Sequence, residues 1–121
     1  MEEGHHILSK SEMEEVLAER HTLPIYRKLK RSGAAIAGLG GLGSHVAVML
    51  ARTGIGSLHL IDFDRVEPSN LHRQAYKMKH LGRYKTDALR EEISEINPYI
   101  SVRTDTVKLT PDNIGSLLAD D

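Results

Sequence analysis

Gly38, Gly40, Gly41 and Gly43, then Asp62, then Arg73 and Lys85 are residue types at spacings that suit one job, holding a phosphate-bearing nucleotide. The run Gly38-Leu39-Gly40-Gly41-Leu42-Gly43 fits the pattern G-x-G-x-x-G. Its glycines permit a tight turn, a close approach of backbone to phosphate and close helix packing. The pattern carries weight only between a strand and a helix, and both are legible. Ala34-Ala35-Ile36-Ala37 is a short apolar run, and Ser44 to Thr53 places Val46, Ala47 and Leu50 on one helical side with Gly54 as its stop. Backbone N–H groups at such a helix start, at the positive end of its dipole, face a phosphate.

The next apolar run, Ser57 to Ile61, ends on Asp62, about 20 residues past the loop, where nucleotide-binding α/β units place an acid for ribose hydroxyls. Between Arg65 and Lys85 stand Arg65, Arg73, Lys77, Lys79, Arg83 and Lys85 against the single acid Glu67, in a chain of net charge −1. A triphosphate needs several charge-assisted donors, and Arg73 as a fork and Lys85 as a point charge supply two geometries. The remaining cations fit a solvated basic face equally well.

From Gly38 to Ser44, through Phe63-Asp64-Arg65-Val66-Glu67-Pro68-Ser69-Asn70-Leu71, to Lys85-Thr86-Asp87-Ala88-Leu89 and Ile96-Asn97-Pro98, the chain resembles the adenylating domain of the ThiF/MoeB proteins, relatives of ubiquitin-activating enzymes. The likeness leans to the thiamine-pathway branch, the ThiF-type sulfur-carrier adenylyltransferases, and runs from about Ala34 to the end. It implies an enzyme that uses ATP with Mg2+ to activate the C-terminal carboxylate of a ubiquitin-like sulfur carrier protein as an acyl-adenylate. Carried over by position, Gly38, Gly40, Gly41 and Gly43 lie against the phosphates and Asp62 holds the ribose. Ser69, Asn70, Leu71, His72, Arg73 and Gln74 wrap the triphosphate, and Lys85 contacts phosphate. Arg73 and Lys85 are the catalytic pair, acting by charge stabilisation. Asp64 either touches ligand or organises its loop, and Asn70 can also cap a short turn.

Three departures bound that expectation. The chain stops at Asp121, where the family continues into a further strand with an aspartate implicated in magnesium binding, so the metal ligand is expected outside this chain and no metal residue is assigned within it. There is no Cys, hence neither a Cys-x-x-Cys zinc site nor a thioester or persulfide cysteine. Glu12-Met13-Glu14-Glu15 occupies the stretch where molybdopterin-type members carry a partner-reaching arginine, leaving Arg20 as a loose candidate. The expectation is the first half of an adenylyltransferase, inactive alone and homodimeric in its parent. Two other classes are kept: an NAD-binding oxidoreductase domain, which leaves Asn70 to Gln74 without a role, and a non-catalytic module for a ubiquitin-like partner.

A content of 40% apolar and 27% charged residues is that of an ordinary globular chain, and one domain fits its 121 residues. No apolar run reaches a membrane-spanning length and Met1 to His6 lacks a secretory pattern, so a cytoplasmic location without membrane partners is expected. The balanced charge gives no nucleic-acid footprint. His5-His6, and His72 with His80, lack the i, i+4 spacing of a helical metal site.

These residues must be positioned by an α/β fold. Ser11 with Glu14 reads as a capping box for a helix to Arg20, and Pro24 opens a helix from Ile25 to Arg31. These make an N-terminal helical extension over residues 1–33, and 34–121 forms a partial nucleotide-binding domain. A long loop from Phe63 to Tyr84 precedes a helix from Lys85 to Ile96, stopped by Asn97-Pro98. Ile100, Val102 and Val107 fit a third strand, and Thr110-Pro111 opens a last helix to Leu118. The sum is a Rossmann-like parallel sheet of order 3-2-1 with helices on both faces, a truncated form of a larger doubly wound fold. Its first strand should have an open edge that needs covering by self-association, exchanged elements or the N-terminal helices.

Overall fold

The computed structural model describes residues 7–119, so His5-His6 lie outside the described residues. Its elements are α1 (Lys10–Arg20), α2 (Leu23–Lys30), β1 (Gly33–Ala37), α3 (Gly41–Thr53), β2 (Ser57–Ile61), α4 (Lys85–Ile96), β3 (Ser101–Asp105) and α5 (Ile114–Leu117). The three strands are parallel in the order β1-β2-β3, the expected ladder, with Ile36 paired to Leu60 and Leu60 to Thr104.

Alternation along the strands sends Ile36, Leu58 and Leu60 into a core with Ala47 and Ala51 of α3 and Ala88, Leu89 and Ile93 of α4. Of the two faces expected to carry helices, α3 and α4 cover one. Both crossovers run in the same direction, and a right-handed connection then returns each helix to the same side. On the opposite face Gly33, Ala35 and Ala37 of β1 and Ser101 and Arg103 of β3 are exposed. β1 is an edge strand with β2 as its hydrogen-bonded neighbour, as expected. The N-terminal helices pack beneath the α3 to β2 turn: Leu17 contacts Gly54, His21 Nε2 donates to Thr53 O, and Gly56 N–H donates to Leu29 O.

Local chemistry moved several boundaries. The capping box forms at Ser9 with Glu12, not at Ser11 with Glu14; both pairs match the spacing, and Glu14 is drawn instead to Lys30 of α2. The first turn of α3 begins at Gly41, inside the glycine run, with Gly40 as its N-cap. β3 ends at Asp105, short of Val107. The expected long last helix is one turn, because the Asn113 side chain accepts from Thr110 N–H and donates to Lys108 O, fixing a competing turn.

The long loop is a structured clasp. An antiparallel bridge joins Arg65 to Tyr84, Val66 N–H donates to Arg83 O, and the Arg65 guanidinium lies 3.9 Å from the Tyr84 ring centre. Short 3-10 turns at Pro68–His72 and Met78–His80 fill it. Most of its cations are structural. Lys77 pairs with Glu92 (2.7 Å), Lys79 with Glu95 (3.4 Å) and Arg83 with Glu91 (2.8 Å), all on α4. Buried His80 accepts from Lys77 N–H through Nδ1 and donates through Nε2 to Glu91.

The Arg83 hydrogen bond, more than the charges of Arg83 and Lys79, holds the Glu91 carboxyl below its ordinary value. A depressed carboxylate contributes stability above its unfolded value and loses it as pH falls through the folded one. Glu91→Gln should therefore lower the thermal midpoint at neutral pH, and the gap from wild type should close as the solution is acidified below the ordinary glutamate range. A gap independent of pH would assign the effect to something other than this charge.

Candidate nucleotide site

The glycine run leaves β1 and turns at Gly38, whose φ of +91° suits glycine. Gly43 packs so closely that a Cβ there would overlap Gly38 O, which brings the start of α3 down against the end of β1. α3 has no side-chain cap, so the N–H groups of its first turn at Gly41, Leu42 and Gly43 remain available to an anion.

Asp62, 9% exposed, follows β2 and ties the loops together. Its Oδ2 accepts from Leu39 N–H and its Oδ1 from Asp64 N–H, both at 2.7 Å. Each oxygen retains a lone pair for a ribose hydroxyl. Asp64 is exposed, and its carbonyl accepts from Lys85 N–H at 2.9 Å, so its backbone organises the loop while its side chain faces solvent. A cavity of about 360 Å³ opens here, lined by Gly38, Ile61, Asp62, Phe63, Val107 and Leu109 among others.

The clasp brings Arg73 and Gln74 over the glycines. Arg73 Nη1 lies 3.7 Å from where a Cβ on Gly41 would stand, and Gln74 Nε2 lies 3.9 Å from the same point on Gly40. Gln74 Oε1 is buried with no partner among the described residues. A phosphate oxygen only accepts hydrogen bonds, so the amide nitrogen is the end that can serve a phosphate. His45 Nε2 donates to Arg73 O at 2.9 Å and fixes the Arg73 backbone.

Lys85 is 7% exposed, opens α4 at its positive end, and has no ion pair among the described residues. A cation that opens a helix gains no support from the helix dipole, and this one gains none from a counter-ion among the described residues.

The other sequence candidates are placed differently. Asn70 is buried and caps its turn, accepting from Glu67 N–H at 2.8 Å. Leu71 packs on the hydrophobic core, while Ser69 and His72 are exposed on the clasp. Three contributors escaped the sequence reading. Tyr76, one of two tyrosines in the cationic stretch, donates its hydroxyl to Leu39 O at 2.7 Å. Val107, expected in the third strand, and Leu109 line the cavity because β3 ends early. Among the described residues no group of three or more His, Asp or Glu is arranged to hold a metal ion.

A parallel α/β unit with a glycine-rich helix start, an acid after the second strand and two cations unpaired among the described residues is the architecture of the Rossmann-like class. The chain belongs to the ThiF family, whose model matches residues 13–120. It is 40% identical over 85 residues to ubiquitin-like modifier-activating enzyme 5 of Arabidopsis thaliana, covering 70% of this chain and 20% of that protein. It is 39% identical over 94 residues to the adenylyltransferase and sulfurtransferase uba4 of Aspergillus clavatus, covering 77% of this chain and 19% of the relative. Among solved structures, the E. coli tRNA N6-threonylcarbamoyladenosine dehydratase TcdA in complex with ATP superposes with a TM-score of 0.86 at 29% identity, over 96% of this chain and 49% of that one. The chain thus spans about a fifth of these curated relatives and about half of the solved structure.

Proposed function

We propose that this chain is the ATP-binding part of an adenylyltransferase that activates a carboxylate as its acyl-adenylate. The observation that carries the reading is the pair of cations without an ion pair among the described residues, Lys85 opening α4 with its stem buried and Arg73 placed over Gly41 by the clasp. Such an arrangement makes sense when a polyanion completes it. The names of the relatives, an adenylyltransferase and a dehydratase crystallised with ATP, support the same class.

In this reading the phosphates meet the first-turn N–H groups of α3, Asp62 receives a ribose hydroxyl, and the base enters the cavity between Phe63, Val107 and Leu109. A carboxylate oxygen attacks the α-phosphorus, an O–P bond forms, and the bond to the β-phosphate oxygen breaks to release pyrophosphate. The carboxylate is already ionised and needs no general base. Arg73 and Lys85 neutralise the charge that builds on the phosphate oxygens. Mg2+ would accompany ATP, but no described cluster fits a metal ion and no step is assigned to it.

The carboxylate is proposed to be the C-terminus of a ubiquitin-like sulfur carrier, with the thiamine branch as the narrower reading and the cytoplasm as its place. The exposed sheet face and the β1 edge favour a homodimeric parent and inactivity of these residues alone.

Calorimetric titration with ATP and magnesium should show binding, NAD should show none, and Asp62→Ala should lose ATP. Binding of NAD in place of ATP would overturn the proposal in favour of an oxidoreductase domain.

A further inference from the structure

Two hydrogen bonds grip Leu39, in the middle of the glycine run, from opposite sides. Its N–H donates to Asp62 Oδ2 and its C=O accepts from Tyr76 Oη, each at 2.7 Å. Leu39 is fully buried and Tyr76 is 4% exposed, so little water competes for either bond. Burial, with Asp62 as a lesser cause, pushes the Tyr76 hydroxyl above its ordinary value, which keeps it a donor.

Tyr76 stands three residues after Arg73. The same segment is stitched to α3 twice more, by Ala75 N–H donating to Ser44 Oγ (3.1 Å) and His45 Nε2 donating to Arg73 O (2.9 Å). Phenylalanine would fill the core around the Tyr76 ring equally well. The hydroxyl is therefore spent on one contact, the Leu39 carbonyl. The Leu39 C=O and the Gly40 N–H share one planar peptide, so fixing the carbonyl fixes where the Gly40 N–H points.

We propose that Tyr76 is a positioning residue for nucleotide phosphates. Its hydroxyl locks the Leu39–Gly40 peptide and holds the Arg73 segment at a set distance from the first turn of α3. The glycine loop and the clasp then act as one rigid anion cradle assembled from two distant stretches of chain. Preorganised donors cost no rearrangement when charge arrives, which is where the benefit of the lock lies. The proposal rests on the nucleotide reading above.

Tyr76→Phe tests it, with ATP and adenosine titrated separately against the wild-type and variant chains. Loss of one aimed hydrogen bond should weaken ATP about fivefold and leave adenosine unchanged. Equal losses for both ligands, or an unaltered ATP affinity, would overturn the proposal. A second arm uses no ligand: amide hydrogen exchange followed by NMR. Exchange at Gly40 and Gly41 should speed up in Tyr76→Phe while that of the β2 amides does not. If the wild-type chain binds neither ATP nor adenosine, the nucleotide reading fails by itself, and the exchange arm still decides the lock. Unchanged Gly40 exchange, or a variant spectrum that loses its native dispersion, would sink it.

Discussion

Lys85→Met should leave the fold intact and weaken ATP strongly. The lysine stem is buried, the residue opens α4, and no carboxylate pairs with it among the described residues. Methionine keeps the packing of the stem and gives up no ion pair, so the thermal midpoint should stay within a few degrees of wild type. A charge-assisted bond to phosphate is worth roughly 1.5–3 kcal/mol, and its loss should weaken ATP roughly 10- to 100-fold. Arg73→Ala is the parallel case. Arg73 is exposed, so ATP should weaken comparably while the midpoint stays near that of wild type. Thermal unfolding followed by circular dichroism, with ATP titration of both variants, reads all four effects. A lowered midpoint with undiminished ATP affinity in Lys85→Met would make Lys85 a structural residue.

Gly43→Ala should damage the fold itself. A Cβ there would overlap Gly38 O, come within 3.0 Å of Gly38 C and within 3.4 Å of Ile36 Cγ2. The first two atoms are backbone, held by the Gly38 N–H bond to Ile61 O and by the strand that precedes them, so they have little room to move. Overpacking of this kind costs about 1–3 kcal/mol, which at this size lowers the midpoint by about 5–15 °C. Gly40→Ala is the matched control. The nearest atom to its Cβ would be Gln74 Nε2 at 3.9 Å, an ordinary contact, so folding should survive while a side chain intrudes beside the phosphate position. If chemical denaturation finds both variants equally stable, close packing is not why Gly43 is glycine.

The different outcomes expected at Lys85 and Gly43 describe how the domain is built. Gly43 serves folding, because α3 can reach the sheet only where a side chain is missing. Lys85 gives the free chain no ion pair among the described residues, and its charge is matched only when an anion arrives. A site composed of both kinds of residue is rigid in its backbone and incomplete in its charge.

Residue order alone determined much of this. Glycine spacing, the apolar runs around it and the acid after the second run define a strand, loop, helix and strand whatever else surrounds them, because these are local demands of backbone and burial. β2 and α4 fall on the residues that their periodicity and the Asn97-Pro98 stop indicate. Choices between equal local options needed the tertiary structure. Ser9 and Ser11 both match a capping box, and only the reach of Glu14 to Lys30 across the helix pair selects Ser9. The family resemblance already pointed to Arg73 and Lys85 among the cations of this stretch, but Lys77, Lys79 and Arg83 could equally have been a solvated face, and only the fold pairs those three with glutamates on α4. The partnership of Tyr76 with Leu39 spans 37 residues and has no local signature, since a hydrogen bond between distant segments depends on where packing brings them. Sequence fixes which groups can do chemistry; packing decides which are left unpaired to do it.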